Sequence, residues 1–173
     1  LAGSDLGSDS FGEFVAAALP GLLRFGHVLT GDPREAEDLV QEALARSLRC
    51  WRTVRNSDAG PYVRRTMVNT HITRWRRWDA RVRLGMPPDG SADDPALGRT
   101  DDWDRVRRAL AQLPPRQRTV LVLRYYEDLP DARIAQLMGC APGTVRSQAA
   151  RGLAALRPLL DPEGVHEGAT RER

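Results

Sequence analysis

The chain has 173 residues and no lysine: all 26 basic residues are arginine, set against 23 acids for a formal net charge of +3. Such a bias fits a GC-rich coding sequence, so the number of arginines says little about function, whereas their placement says more. Cysteine is scarce. Cys50 and Cys140 stand far apart, and with His27, His71 and His166 scattered no metal-ligand spacing emerges. Both thiols are expected to be reduced, as in a cytoplasmic protein. No apolar run approaches the roughly 18 residues of a membrane span, which excludes membrane insertion by a helix. Residues 1–10 are polar and acidic rather than basic then apolar, so they do not read as a secretory leader. Nucleophile elbow, phosphate-cradling glycine loop and carboxylate cluster with metal spacing are all missing, so no catalytic residue, metal or cofactor is expected.

What the chain does have is helical periodicity, and its strongest statement lies in residues 131–157. Ile134, Leu137 and Met138 form one apolar face. Gly139 stands where a helix ends and the backbone turns left-handed, and Pro142 suits the start of the next helix. Val145, Ala149, Leu153 and Leu156 then recur at helical spacing. Two short helices about a tight turn are the pattern of a helix-turn-helix, whose second helix enters the DNA major groove. Ser147, Gln148 and Arg151 fall opposite the apolar stripe, with Arg146 on its flank. Residues 142–157 hold three arginines and no acid, which suits phosphates and base edges. An ordinary helical hairpin with a solvated face is the alternative; the turn and the acid-free second helix favour DNA.

Further towards the N-terminus, residues 11–29 read as an apolar helix, with Pro20-Gly21 expected to bend or break it. Asp32 is placed to cap a helix over residues 33–51 that starts with Pro33. Ala36, Leu39, Val40, Ala43, Leu44, Leu48 and Trp51 share its core-facing arc. Asp38, Gln41, Glu42 and Ala45 stack on the opposite one. Residues 32–42 carry five acids and one arginine. By charge alone a solvated helix start explains this. On a DNA-binding protein, however, an acidic face is odd, and a protein partner with basic helices resolves the oddity.

Residues 52–60 read as a polar loop, and a helix over residues 62–78 follows Pro61. From residue 61 to 83 there are seven arginines and one acid. Arg65, Thr66, Asn69, Thr73, Arg76 and Arg77 share one side, a pattern suited to nucleic acid; a merely solvated face is the alternative. Trp75, Trp78 and His71 are expected in the core. Residues 79–100 lose all periodicity and become acidic, as a flexible linker does. Residues 101–113 and 115–126 are helical again, and residues 161–173 read as a disordered tail. The expected fold is therefore all-α, with two small helical domains, residues 11–78 and 101–160, on either side of a flexible acidic linker.

Four strings in this order resemble a known family: GDPREAEDLVQEAL at residues 31–44, YVRRTMVNTHITRWRR at 62–77, LPPRQRTVLVLRYYEDL at 113–129, and the helix-turn-helix itself. Together they are similar to the extracytoplasmic-function sigma factors of the sigma-70 family, in particular the actinobacterial SigE-type subgroup. The resemblance implies a non-enzymatic subunit that joins core RNA polymerase and directs promoter-specific initiation. It implies that Asp38, Gln41 and Glu42 meet the β′ clamp helices, and that Asn56, in a loop over residues 56–60, captures a flipped base of the −10 element. Arg65, Asn69, Thr73 and Arg76 would face −10 DNA. Residues 101–160 would grip the β flap and read the −35 element through Arg146, Ser147, Gln148 and Arg151. An anti-sigma factor is a further partner the resemblance leaves open. The chain departs from the family's pattern at Pro130 and Arg133, where Ser or Thr and Glu are common, so Asp131 is the candidate cap there. A DNA-binding regulator that works without polymerase is the competing class. It would be expected to dimerise on half-sites, and no dimer helix is evident.

Overall fold

A computed structural model describes residues 5–55, 59–83 and 101–160. The described residues form eight helices: α1 (Asp5–Thr30), α2 (Pro33–Arg49), α3 (Trp51–Val54), α4 (Ala59–Arg83), α5 (Asp101–Ala111), α6 (Pro115–Tyr125), α7 (Asp131–Met138) and α8 (Pro142–Leu160). They form two compact units, one holding α1–α4 and the other α5–α8. Residues 84–100 and 161–173, where the linker and tail were expected, lie outside the described residues, as do residues 56–58 with Asn56.

In the first unit α2 packs against both α1 and α4. The core is built from Leu22, Phe25, Val28 and Leu29 of α1, Ala36, Leu39, Val40 and Ala43 of α2, and Val63, Met67, Val68 and Ile72 of α4. The turn between α1 and α2 closes as its sequence dictates. Gly31 takes φ 78°. The Asp32 carboxylate accepts from the Glu35 amide at 2.8 Å, and Pro33 opens the helix. Of the two outcomes expected at Pro20, a bend or a break, the break does not occur: α1 runs through it. An interior proline costs about 3 kcal/mol. Four buried side chains just beyond it, each worth about 1.5–3 kcal/mol, outweigh that cost. Proline itself is exposed, so the carbonyl it leaves unpaired meets water.

Further boundaries differ from the sequence reading. α2 stops at Arg49, and α3 turns part of the expected polar loop into a short helix. Trp51 is nevertheless buried, with its ring 4.9 Å from Phe11 and 5.1 Å from Phe14, and its indole N–H donates to the Ser10 hydroxyl at 2.9 Å. α4 continues past Trp78 to Arg83, into the segment assigned to the linker. Leu48, assigned to the core arc of α2, is 51 % exposed, and Ser47 takes the buried place, its hydroxyl donating to the Ala43 carbonyl. His71 is buried as expected, while Trp75 is only partly so.

The second unit is a helix-turn-helix, α7 and α8, held on α6, with α5 against α8. Gly139 takes φ 64° and ψ 43°. Cys140 N–H donates to the Ala135 carbonyl at 3.0 Å and Gly139 N–H to that of Gln136 at 3.4 Å, the Schellman closure that a left-handed glycine permits. Asp131 does not cap α7, whose cap position is Pro130 with no side-chain bond. Its carboxylate instead lies 3.4 Å from Arg124 of α6, tying the first helix of the motif to its support. The stripe of α8 also differs: Val145, Ala149 and Leu156 are buried with Gly152, whereas Leu153 is 44 % exposed. A Cβ on Gly152 would stand 2.8 Å from Leu121 Cδ1 and 3.2 Å from its Cγ. Any side chain there would have to displace Leu121.

Candidate nucleic-acid interface

Two faces in separate units carry the residue types that recognise nucleic acid. On α8, Arg146 and Arg151 are exposed and Ser147 and Gln148 half-buried, all on the side away from the core residues Val145, Ala149 and Gly152. The Ser147 hydroxyl donates to the Thr144 carbonyl at 2.9 Å. Its proton is engaged within the helix, which leaves the oxygen as an acceptor. Neither acid nor bulky apolar side chain interrupts Arg146 and Arg151 along this face, so it can reach phosphates and base edges without repulsion.

On α4, Arg65, Asn69, Thr73 and Arg76 are all exposed and share one side of a single helix. Val63, Met67, Val68 and Ile72, buried against α1 and α2, fix which side that is. Thr73 donates to the Asn69 carbonyl at 2.8 Å and Thr66 to that of Tyr62 at 3.0 Å. The hydroxyls are again satisfied along the helix, and the Arg65, Asn69 and Arg76 side chains remain the donors of this face.

A third face, on α2, is acidic. Asp38 and Gln41 are exposed. Glu42 is placed differently. One of its carboxylate oxygens accepts from Arg46 at 2.5 Å and the other from Arg74 of α4 at 2.6 Å. The hydrogen bond from Arg74 is the main reason its carboxyl titrates below the ordinary glutamate value. Periodicity could not reveal Arg74: it stands on neither the core nor the arginine–asparagine face of α4, and its partner belongs to another helix. At the other end of the same antiparallel pair, Cys50 Sγ lies 3.2 Å from the Tyr62 hydroxyl. Among the described residues no group of three His, Cys, Asp or Glu could hold a metal ion. No helix among them is long and apolar enough to cross a membrane.

A helix-turn-helix in one unit, with an arginine-rich helix and an acidic one in the other, is the make-up of a two-module DNA-binding protein. The families Sigma-70 region 2 and Sigma-70 region 4 match residues 14–81 and 103–156. The chain is 37% identical to the RNA polymerase sigma-E factor of Streptomyces coelicolor over 154 residues, 87% of this chain and 85% of that one. It is 34% identical to the extracytoplasmic-function sigma factor SigL of Mycobacterium tuberculosis over 83% of this chain and 85% of the relative. Among solved structures it is similar to the sigma factor RpoE from Bartonella quintana, solved in complex with the anti-sigma factor NepR. That match has TM-score 0.57 and 26% identity, covering 89% of this chain and 98% of that one. The chain belongs to the sigma-70 family of RNA polymerase sigma factors, in the extracytoplasmic-function group that includes the sigma-E factors.

Proposed function

We propose that this sigma factor joins core RNA polymerase through α2, opens the −10 element with α4 and reads the −35 element with α8. The observation that carries the reading is the separation of charge. The acidic side of α2 and the acid-free outer side of α8 belong to different units, so one chain presents a surface that repels DNA and another that attracts it. On α2, Asp38 and Gln41 meet the polymerase clamp helices. Glu42 sits at the edge of that contact with its charge already matched by Arg46 and Arg74. On α4, Arg65, Asn69, Thr73 and Arg76 engage −10 DNA, with Asn56 in the preceding loop. Unstacking a base costs a few kcal/mol, which contacts to the captured base offset. On α8, Arg146, Ser147, Gln148 and Arg151 contact the −35 duplex, while the second unit binds the polymerase flap. An anti-sigma factor is a further partner in this reading, supported by the complex in which the Bartonella quintana relative was solved. The protein makes and breaks no bonds of its own and works where the polymerase is, in the cytoplasm.

The experiment is reconstitution with core polymerase followed by run-off transcription on a promoter library. Co-elution with core and initiation from a shared −35/−10 pair is the expected result. A chain that ignores core polymerase and shifts duplex DNA unaided would instead be a free-standing regulator.

A further inference from the structure

Glu42 holds Arg74 with the chemistry a phosphate would use. A carboxylate oxygen 2.6 Å from a guanidinium nitrogen makes the charge-assisted hydrogen bond that arginine also gives to phosphate. The link does little for the fold. Its side chains are partly exposed, 42 % for Arg74 and 33 % for Glu42, and an ion pair so placed stabilises little. The helix α4 is anchored without it, by Val63, Met67, Val68 and Ile72. Nor does Glu42 depend on Arg74, because its other oxygen accepts from Arg46 on its own helix. On its outer side Arg74 adjoins Thr73 and, one turn further on, Arg77, both exposed. It therefore stands between an acid of α2 and the arginine-bearing side of α4.

We infer that Arg74 is a phosphate-binding residue of α4, and that Glu42 is an internal stand-in for the phosphate, holding Arg74 off DNA until the polymerase arrives. The inference rests on the proposed roles of α2 and α4 and adds a residue and a switch to them. A basic side chain brought to α2 by the polymerase competes for Glu42. With Arg46 it satisfies both carboxylate oxygens, and the Arg74 guanidinium is left beside Thr73 and Arg77 for a phosphate of the −10 strand. One arginine–carboxylate bond is replaced by another of the same kind, so neither helix has to move. Contacts to phosphate carry no sequence information, so Arg74 adds affinity and leaves the choice of promoter to other residues.

The test titrates the full chain into a short labelled single-stranded DNA of random sequence and follows anisotropy over a range of salt. Glu42→Gln is expected to tighten binding about two- to fivefold, the range of a partly exposed ion pair. It should also steepen the fall of log K with log salt by roughly 0.7, the mark of one more phosphate contact on a single strand. The same substitution made together with Arg74→Gln should gain nothing over Arg74→Gln alone. Glu37→Gln, which removes an equal charge from an exposed place on α2, should leave the salt slope unchanged. In run-off transcription at saturating chain, Arg74→Gln should lower initiation about two- to fivefold on every promoter used. If Glu42→Gln tightens DNA equally with and without Arg74, the effect is one of net charge and the proposal is overturned. If Glu42→Gln and Arg74→Gln change neither binding nor transcription while Arg65→Ala weakens both, the switch is wrong and the −10 reading of α4 stands. If Arg65→Ala is also without effect, that reading falls and takes the switch with it.

Discussion

The two units hold their arginine-bearing helices, α4 and α8, by different means. In the second, α8 is placed by what is missing. Gly139 lacks the Cβ that would resist a left-handed turn, and Gly152 lacks the one that would meet Leu121. In the first, α4 is placed by what is present: a core shared with α1 and α2, and the Glu42–Arg74 link that ties it to the acidic helix. A contact of glycine with the Leu121 side chain resists substitution but carries no charge. A side-chain link tolerates more, and it joins a face assigned to protein with a helix assigned to DNA. One unit thus seats its arginine-bearing helix against a glycine contact, the other on a common core that also carries an acidic face.

Substitutions can press on this difference. The largest effect is expected from Gly152→Val, where the new side chain must displace Leu121. Overpacking of this kind costs about 1–3 kcal/mol, here at the upper end because both γ-methyls add to the clash. Hydrogen exchange should then show lost protection in α6 and α8 and none in α2 and α4; an equal loss in both units would mean that they fold as one. Next comes Arg151→Ala, which should cost about 1–2 kcal/mol in −35 recognition without lowering Tm. Equal transcription from intact and scrambled −35 promoters by the parent chain would remove that role. Asp32→Ala deletes a side-chain cap, with an expected loss of about 1 kcal/mol confined to the first unit, measurable by urea unfolding.

The smallest effect belongs to Glu42 and Arg74. A double-mutant cycle with Glu42→Gln and Arg74→Gln should give a coupling of roughly 0.2–1 kcal/mol, as befits partly exposed partners. Because folding lowers the Glu42 pKa from its ordinary 4.5, this contribution is complete above that value and is lost as the pH falls through the lowered one. The coupling should therefore be present at neutral pH and disappear in acid. A coupling that survives in acid would mean the link is not ionic.

The all-helical fold and the turn of the helix-turn-helix were legible because they follow local rules. Gly139 and Pro142 punctuate adjacent helices, Asp32 and Pro33 start another, and apolar spacing fixes which sides of α2 and α4 are buried. What escaped was whatever depends on a neighbour distant in sequence. Pro20 was expected to bend or break α1, and with Leu22 and Phe25 buried just beyond it the helix does not break. Leu48 and Leu153 satisfied the periodicity of a core but stand about half exposed among the described residues. The contact of Gly152 with Leu121 of α6 has no local signal in sequence. Asp131 was a candidate cap until Arg124 proved to be its partner. The outward placement of Arg65, Asn69, Thr73 and Arg76 could be drawn on a wheel, whereas the engagement of Glu42 by Arg74 could not.

The unbroken passage of α1 through Pro20 has a mechanical consequence. Proline leaves the Ala16 carbonyl without its helical hydrogen bond where the helix passes from partly exposed to buried. Under a force applied at the N-terminus, the outer segment should peel away once Phe11 and Phe14 leave Trp51, and the tear should arrest at Pro20. In an optical-trap record this would appear as a short extension step before the first unit yields. The helix is continuous in shape and divided in strength.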